Sequence, residues 1–136
     1  MPAVRVLDSH ALLVFLRGEP GETFVADLLE KAGVRDTPLL MTEVNYAEVK
    51  YTIIRKDGPD RWAAVAQELP ALPLEFRTAD RALSDMAAEY KARFKLSLAD
   101  AYAAALAKET KAELVTGDAE FKPLEKEIKI AWLPAR

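Results

Sequence analysis

Cysteine is absent from this 136-residue chain, and histidine and asparagine occur once each, as His10 and Asn45. Without thiols there can be no disulfide, no zinc–thiolate site and no cysteine nucleophile. A single histidine excludes a multi-histidine metal centre and confines any Ser-His-Asp arrangement to His10. A metal would therefore be held by oxygens, the donor set of Mg²⁺ or Mn²⁺. No apolar run approaches the roughly 18 residues of a membrane span. The opening MPAVRVLD lacks both the basic and the long apolar region of a secretory signal. These absences predict a cytoplasmic protein with no membrane partner. A basic excess is also lacking: the formal charge is −3, which argues against a free-standing nucleic-acid binder, usually marked by a basic face.

What is present is ordinary for a globular protein, with 51% hydrophobic and 30% charged residues. The length suits one domain, residues 1–136, with a proper core. Short apolar runs predict strands at 3–7, 38–41, 72–76, 113–116 and 128–133. Helical patterns lie between them, at 9–17, 22–32, 43–56, 60–69, 79–94, 98–110 and 119–126. Two breakers punctuate the pattern, Gly18-Glu19-Pro20-Gly21 and Asp57-Gly58-Pro59. Alternating strands and helices predict an α/β fold with a mainly parallel sheet.

Four acids fall at element ends. Asp8 follows the first strand in VRVLDSHALL, and Asp118 follows the fourth in LVTGDAEF. Each has a plain role as a helix cap, because a carboxylate accepts the free N–H groups of a first turn. Asp100, in LSLADAYAAALAKE, completes an S-x-x-D capping box with Ser97. It also shares a helix face with Leu96, Ala103, Ala104 and Ala107, a smooth face built for close packing. An acid at the top of that face points toward the sheet.

Glu48, in MTEVNYAEVKYTIIRK, is the least cap-like of the four. It interrupts an apolar stripe traced by Val44, Tyr51 and Ile54, and unpaired acids are rarely buried. Glu43 lies about 140° around the same helix at 100° per residue. It reads as a first-turn acid after the Thr42 cap, complementing the helix dipole. Glu48 is therefore the expected site residue and Glu43 a peripheral member.

Four independent capping roles would explain the acids one by one, whereas a single acidic cluster explains them together. In open α/β sheets ligands bind beyond the carboxyl ends of the strands. Like charges about 4 Å apart repel by roughly 4 kcal/mol at an effective dielectric near 20. A divalent cation relieves that repulsion. Ser9 and Thr116, each beside a site acid, add hydroxyls for the ligands or for metal-bound water.

Together, VLDSHALLVFL, TEVNYAEVKYTIIRK, LSLADAYAAALAKE and LVTGDAEF resemble, in order and spacing, the PIN domain, and most closely the VapC-type toxins of toxin–antitoxin pairs. The resemblance implies a three-layer α/β/α sandwich with a five-stranded sheet in order 3-2-1-4-5, which makes Asp8 and Asp118 neighbours. It implies a metal-dependent endoribonuclease in which Asp8, Asp100 and Asp118 bind Mg²⁺ or Mn²⁺. Glu48 completes the coordination or orients the attacking water, and Thr116 matches the hydroxyl two residues before the last acid. It further implies a cognate antitoxin, a homodimer and an RNA substrate. Arg17, Arg55 or Lys122 are candidates to guide the backbone, and His10 reads first as a helix residue with a satisfied hydrogen bond and second as a lining of the groove. The sequence departs from the family pattern at His10, where small residues are commoner, and at Glu43, where Ser or Thr is usual. Besides a degenerate PIN scaffold without activity, which the presence of all four acids argues against, two other readings stand beside this one. One is a PIN nuclease of RNA processing or DNA repair. The other is a non-catalytic Mg²⁺-binding α/β module such as a receiver domain, which fits poorly because the third strand ends LEFRTAD and the fifth AWLPAR.

Overall fold

The computed structural model describes residues 4–134. Five short strands, β1 (Arg5–Leu7), β2 (Leu39–Thr42), β3 (Leu74–Arg77), β4 (Glu113–Thr116) and β5 (Ile130–Trp132), form one sheet in the order β3-β2-β1-β4-β5. Every pairing is parallel, with Val6 opposite Leu40 and Leu114, and Thr116 opposite Trp132. Residue 3, the predicted start of the first strand, lies outside the described residues.

Alternation along the strands divides the core in two. Leu7, Leu39, Met41 and Val115 pack with α1 (Ser9–Arg17), α2 (Glu22–Arg35), α3 (Glu43–Asp57) and α4 (Pro59–Glu68). Val6, Leu40 and Leu114 pack with α5 (Arg81–Arg93) and α6 (Leu98–Thr110) on the other face. The result is the expected three-layer sandwich. The six alanines of α6's LADAYAAALAKET keep the helix slim enough to be buried nearly all round, against both sheet and α5.

Local chemistry accounts for most boundaries. Gly18 ends α1 in the left-handed region at φ 62°, and Gly58 ends α3 at φ 92°. Most boundaries fall within two residues of the pattern reading, and two departures are larger. α2 continues through Gly33 and stops at Asp36, one turn later than expected, since a helical glycine costs only about 1 kcal/mol. The predicted last helix is a 3-10 segment over Ala119–Leu124 containing Pro123, which has no N–H to give an α-helical ladder.

The chain leaves β1 for β2 on one side and returns through β4 on the other, so the strand order reverses between β1 and β4. A crevice at that switch point is where open α/β sheets bind ligands. The residues that follow these two strands are Asp8 and the turn Gly117-Asp118.

Candidate metal centre

Asp8 is fully buried and caps α1: Oδ1 accepts the Ala11 N–H at 2.8 Å. Its other oxygen accepts the hydroxyl of Thr116, reached from the neighbouring strand β4. The same hydroxyl oxygen accepts the N–H of Asp118 at 3.0 Å, and Asp118 Oδ1 in turn accepts the N–H of Glu120 at 2.9 Å. One threonine thus holds the two strand-end acids in register.

Asp100 enters from α6. Its N–H donates to the capping hydroxyl of Ser97 at 3.1 Å, as the capping box requires, and its side chain is only 7% exposed. Its helix-face partners Leu96, Ala103, Ala104 and Ala107 are all buried. Capping and clustering are therefore the same geometry: the caps place the acids.

The electrostatics are those of an acidic cluster lacking a counter-charge. Burial, first of all, pushes the Asp8 carboxyl up to about 7, with the Asp118 and Glu48 charges adding and the Thr116 and Ala11 hydrogen bonds opposing. Asp100 is pushed up to about 8, again chiefly by burial, then by its hydrogen bond with Asp118 and the charges of Asp8, Asp118 and Glu48. Both buried acids therefore bind a proton more tightly than a free carboxyl does, and a cation would compete with that proton.

Glu48 is thus close enough to raise both buried acids, and the Tyr51 hydroxyl donates to its Oε2 at 3.4 Å. Glu43 is exposed and faces elsewhere, lining a cavity with Tyr46, Leu69, Leu74 and Phe76. The apolar stripe expected around Glu48 is corrected, however: Tyr51 is 47% exposed and Ile54 36%. The inward face of α3 is Asn45, Val49 and Ile53, and Glu48 sits at its border.

Two residues were missed from sequence. Glu120 brings a carboxylate oxygen together with those of Asp100 and Asp118, all within 4.8 Å of one another. Its signal was the second acid in GDAEF. Asn45, the single asparagine, is fully buried where three helices begin. Its side-chain amide donates to Ser9 Oγ at 2.9 Å and to the Ala99 carbonyl at 3.1 Å, while its N–H reaches the Thr42 cap at 3.0 Å. Ser9 consequently faces Asn45, donating to its carbonyl at 3.3 Å.

The basic residues occupy separate surroundings. Arg17 is engaged by Asp57 at 2.8 Å and Glu19 at 2.6 Å. It sits in the last turn of α1, about 12 Å along the helix from Ser9 at 1.5 Å per residue. Arg55 lies over the Tyr51 ring at 5.0 Å. Lys122 lines a cavity beside Gly117. His10 is exposed, with its ring against Gly117: a Cβ there would lie 2.7 Å from Nε2.

Hard carboxylate donors, partly buried and clustered, fit a cation of the Mg²⁺ or Mn²⁺ type. These features define an α/β protein with an acidic centre at the sheet's switch point. The sequence profile of the PIN domain matches residues 5–127, and the chain belongs to that family. No curated protein sequence matches it. Its fold is that of the VapC toxins. It is similar to VapBC2 from Rickettsia felis bound to a promoter DNA fragment, with TM-score 0.76, 16% identity and coverage of 96% of this chain and 99% of that one. DNA-bound VapBC from Salmonella typhimurium gives TM-score 0.76 at 16% identity, covering 98% and 100%. The sarcin–ricin loop cleaving toxin VapC20 from Mycobacterium tuberculosis gives 0.69 at 14%, covering 88% and 93%.

Proposed function

We propose that this protein is a Mg²⁺- or Mn²⁺-dependent endoribonuclease and the toxin of a toxin–antitoxin pair. The observation that carries the reading is the meeting of Asp8, Asp100, Asp118 and Glu48 at the β1/β4 switch point, where burial and the neighbouring charges raise the two buried acids. A structural scaffold gains nothing from four mutually repelling carboxylates; a cation site needs them.

Asp8, Asp100 and Asp118 hold the metal, with Glu48 completing the site and Glu120 reaching its rim. The bound cation would polarise a water and screen charge developing on the phosphate. The chain's own groups do the positioning. Thr116 fixes Asp8 against Asp118, Ser97 fixes Asp100, and Glu48, half-buried at the edge of α3, orients water for in-line attack. RNA is favoured as substrate by the similarity to a toxin that cleaves the sarcin–ricin loop. The VapBC neighbours favour an antitoxin partner; a homodimeric toxin and a cytoplasmic location belong to the same reading through the sequence resemblance alone. Among the described residues no helix is long and apolar enough to cross a membrane.

The test is cleavage of structured and single-stranded RNAs by the purified protein with Mg²⁺, with Mn²⁺ and with chelator. Metal-dependent cleavage that disappears in Asp8→Asn is the expected result. Wild-type rates in Asp8→Asn, or cleavage undiminished by chelator, would overturn it.

A further inference from the structure

We infer that the cavity between Trp132 and the Gly117 turn is a nucleobase subsite, where the indole of Trp132 stacks on a base of single-stranded RNA beside the scissile phosphate. The inference rests on the ribonuclease reading and adds to it the group that grips the substrate. Its first support is position. Trp132 lies opposite Thr116 on the adjacent parallel strand, so both side chains project from the same face of the sheet. Neighbouring strands are about 4.8 Å apart, and Thr116 is the residue that holds Asp8. Trp132 therefore sits one strand spacing from Thr116 and two from the strand that leads into Asp8.

The second support is the cavity. Gly117, Ala119, Lys122, Glu125 and Trp132 line a space of about 340 Å³, within the ~300–1,000 Å³ of small-ligand sites. Ala119, next to Asp118 in the chain, contributes only a methyl group to that space. Lys122 supplies positive charge for a phosphate next to the stacked base, which offsets the acidic character of the chain at this point.

The third is preorganisation. The indole N–H donates to Glu125 Oε2 at 2.8 Å, which fixes the ring about its own axis, and its inner edge packs against the α5/α6 core. A ring already held in place loses little freedom when a base stacks on it. Stacking is indifferent to sequence, because every base has a π-face. Unpaired RNA presents such faces, whereas a duplex hides them.

Two measurements test the subsite. In the first, mixed-sequence RNA oligonucleotides are titrated with Mg²⁺ into full-length Asp100→Asn protein, and tryptophan emission is followed. Trp62 is buried in the other half of the core, 8% exposed, so saturable quenching reports Trp132. In the second, cleavage kinetics are compared for wild type, Trp132→Leu, Trp132→Phe and Lys122→Gln. Trp132→Leu keeps apolar bulk and should raise KM about 5- to 150-fold, the equivalent of ~1–3 kcal/mol for one stacked base, with kcat near wild type. Trp132→Phe should stay within a few-fold of wild type, and Lys122→Gln should weaken the salt dependence of KM. A wild-type protein that cleaves RNA while folded Trp132→Leu keeps its KM overturns the subsite and leaves the ribonuclease reading intact. Absence of cleavage by wild type overturns the ribonuclease reading, and the quenching titration then judges the subsite alone. If Trp132→Leu fails to fold, the titration and Trp132→Phe decide. Quenching by an antitoxin peptide but not by RNA would also overturn the proposal.

Discussion

The hydroxyl of Thr116 donates to Asp8 across the β4–β1 boundary while accepting the N–H of Asp118, so one side chain couples two acids 110 positions apart in the chain. Its hydrogen bond pulls the Asp8 carboxyl down against the upward push of burial. Thr116→Val should therefore raise Asp8 further and leave the Asp118 N–H unpaired. Partners of metal ligands are commonly worth about 10- to 100-fold in metal affinity, and a loss of that size is expected for Mn²⁺ by calorimetric titration. The acidic limb of the pH–rate profile should move to higher pH. Thr116→Ser retains the hydroxyl and should preserve both.

Stability of the metal-free protein should fall as pH rises. Asp8 and Asp100 are raised from 3.8 to about 7 and about 8, so the folded chain binds these protons more tightly than the unfolded one. Their contribution is complete below the unfolded value and is lost as pH climbs through the folded ones. The melting temperature in chelator should accordingly decline between about pH 4 and pH 8, and Mg²⁺ should restore most of the loss at pH 8. A flat profile in chelator would contradict the cluster as described.

Asp100→Asn separates stability from metal binding. Removing a carboxyl that burial and three neighbouring acids disfavour in its charged form should raise the metal-free melting temperature at pH 8. It should also abolish stabilisation by Mg²⁺. Calorimetric scans of wild type and variant, with and without metal, read both effects.

The two glutamates of α3 should behave oppositely. Glu48 raises Asp8 and Asp100 through space, whereas Glu43 is exposed beside a different cavity. Glu48→Gln is expected to cut RNA cleavage by orders of magnitude. Glu43→Gln should cost a few tenths of a kcal/mol of helix-dipole interaction, about the low end of such effects, and leave the rate nearly unchanged. An inactive Glu43→Gln with a normal Glu48→Gln would reverse the assignment.

Asn45→Ala removes the side-chain hydrogen bonds to the Ala99 carbonyl and to the Thr42 and Ser9 hydroxyls, and leaves the Thr42 hydroxyl without its acceptor. Each buried polar group left unpaired costs about 1–3 kcal/mol. Urea denaturation should show a clear loss of stability. Cleavage should fall as well at a temperature where the variant is still folded, because α1, α3 and α6 begin at this residue's contacts and carry Asp8, Glu48 and Asp100.

The sequence alone determined the strand–helix alternation, the capping positions and the order of the four acids, because these depend on neighbours a few residues away. Asp8, Thr42, Ser97 and Asp118 each cap the helix or turn that follows, so local chemistry placed them before any packing was known. The resemblance then supplied the strand order that makes Asp8 and Asp118 neighbours. Tertiary structure decided which side of α3 faces inward. Helical period says which residues share a face, but α3 carries Val44, Tyr51 and Ile54 on one side and Val49 and Ile53 on another, so apolarity did not separate them. The deciding residue was a polar one: Asn45 turns inward because its partners, Ser9 and Ala99, lie 36 and 54 positions away. Arg17 was likewise withdrawn from the site by Asp57, 40 positions distant, and Glu120 joined it only through the 3-10 turn that brings it to Asp100. Burial of a polar group is set by the partners that satisfy it, and such partners are invisible until the chain has folded.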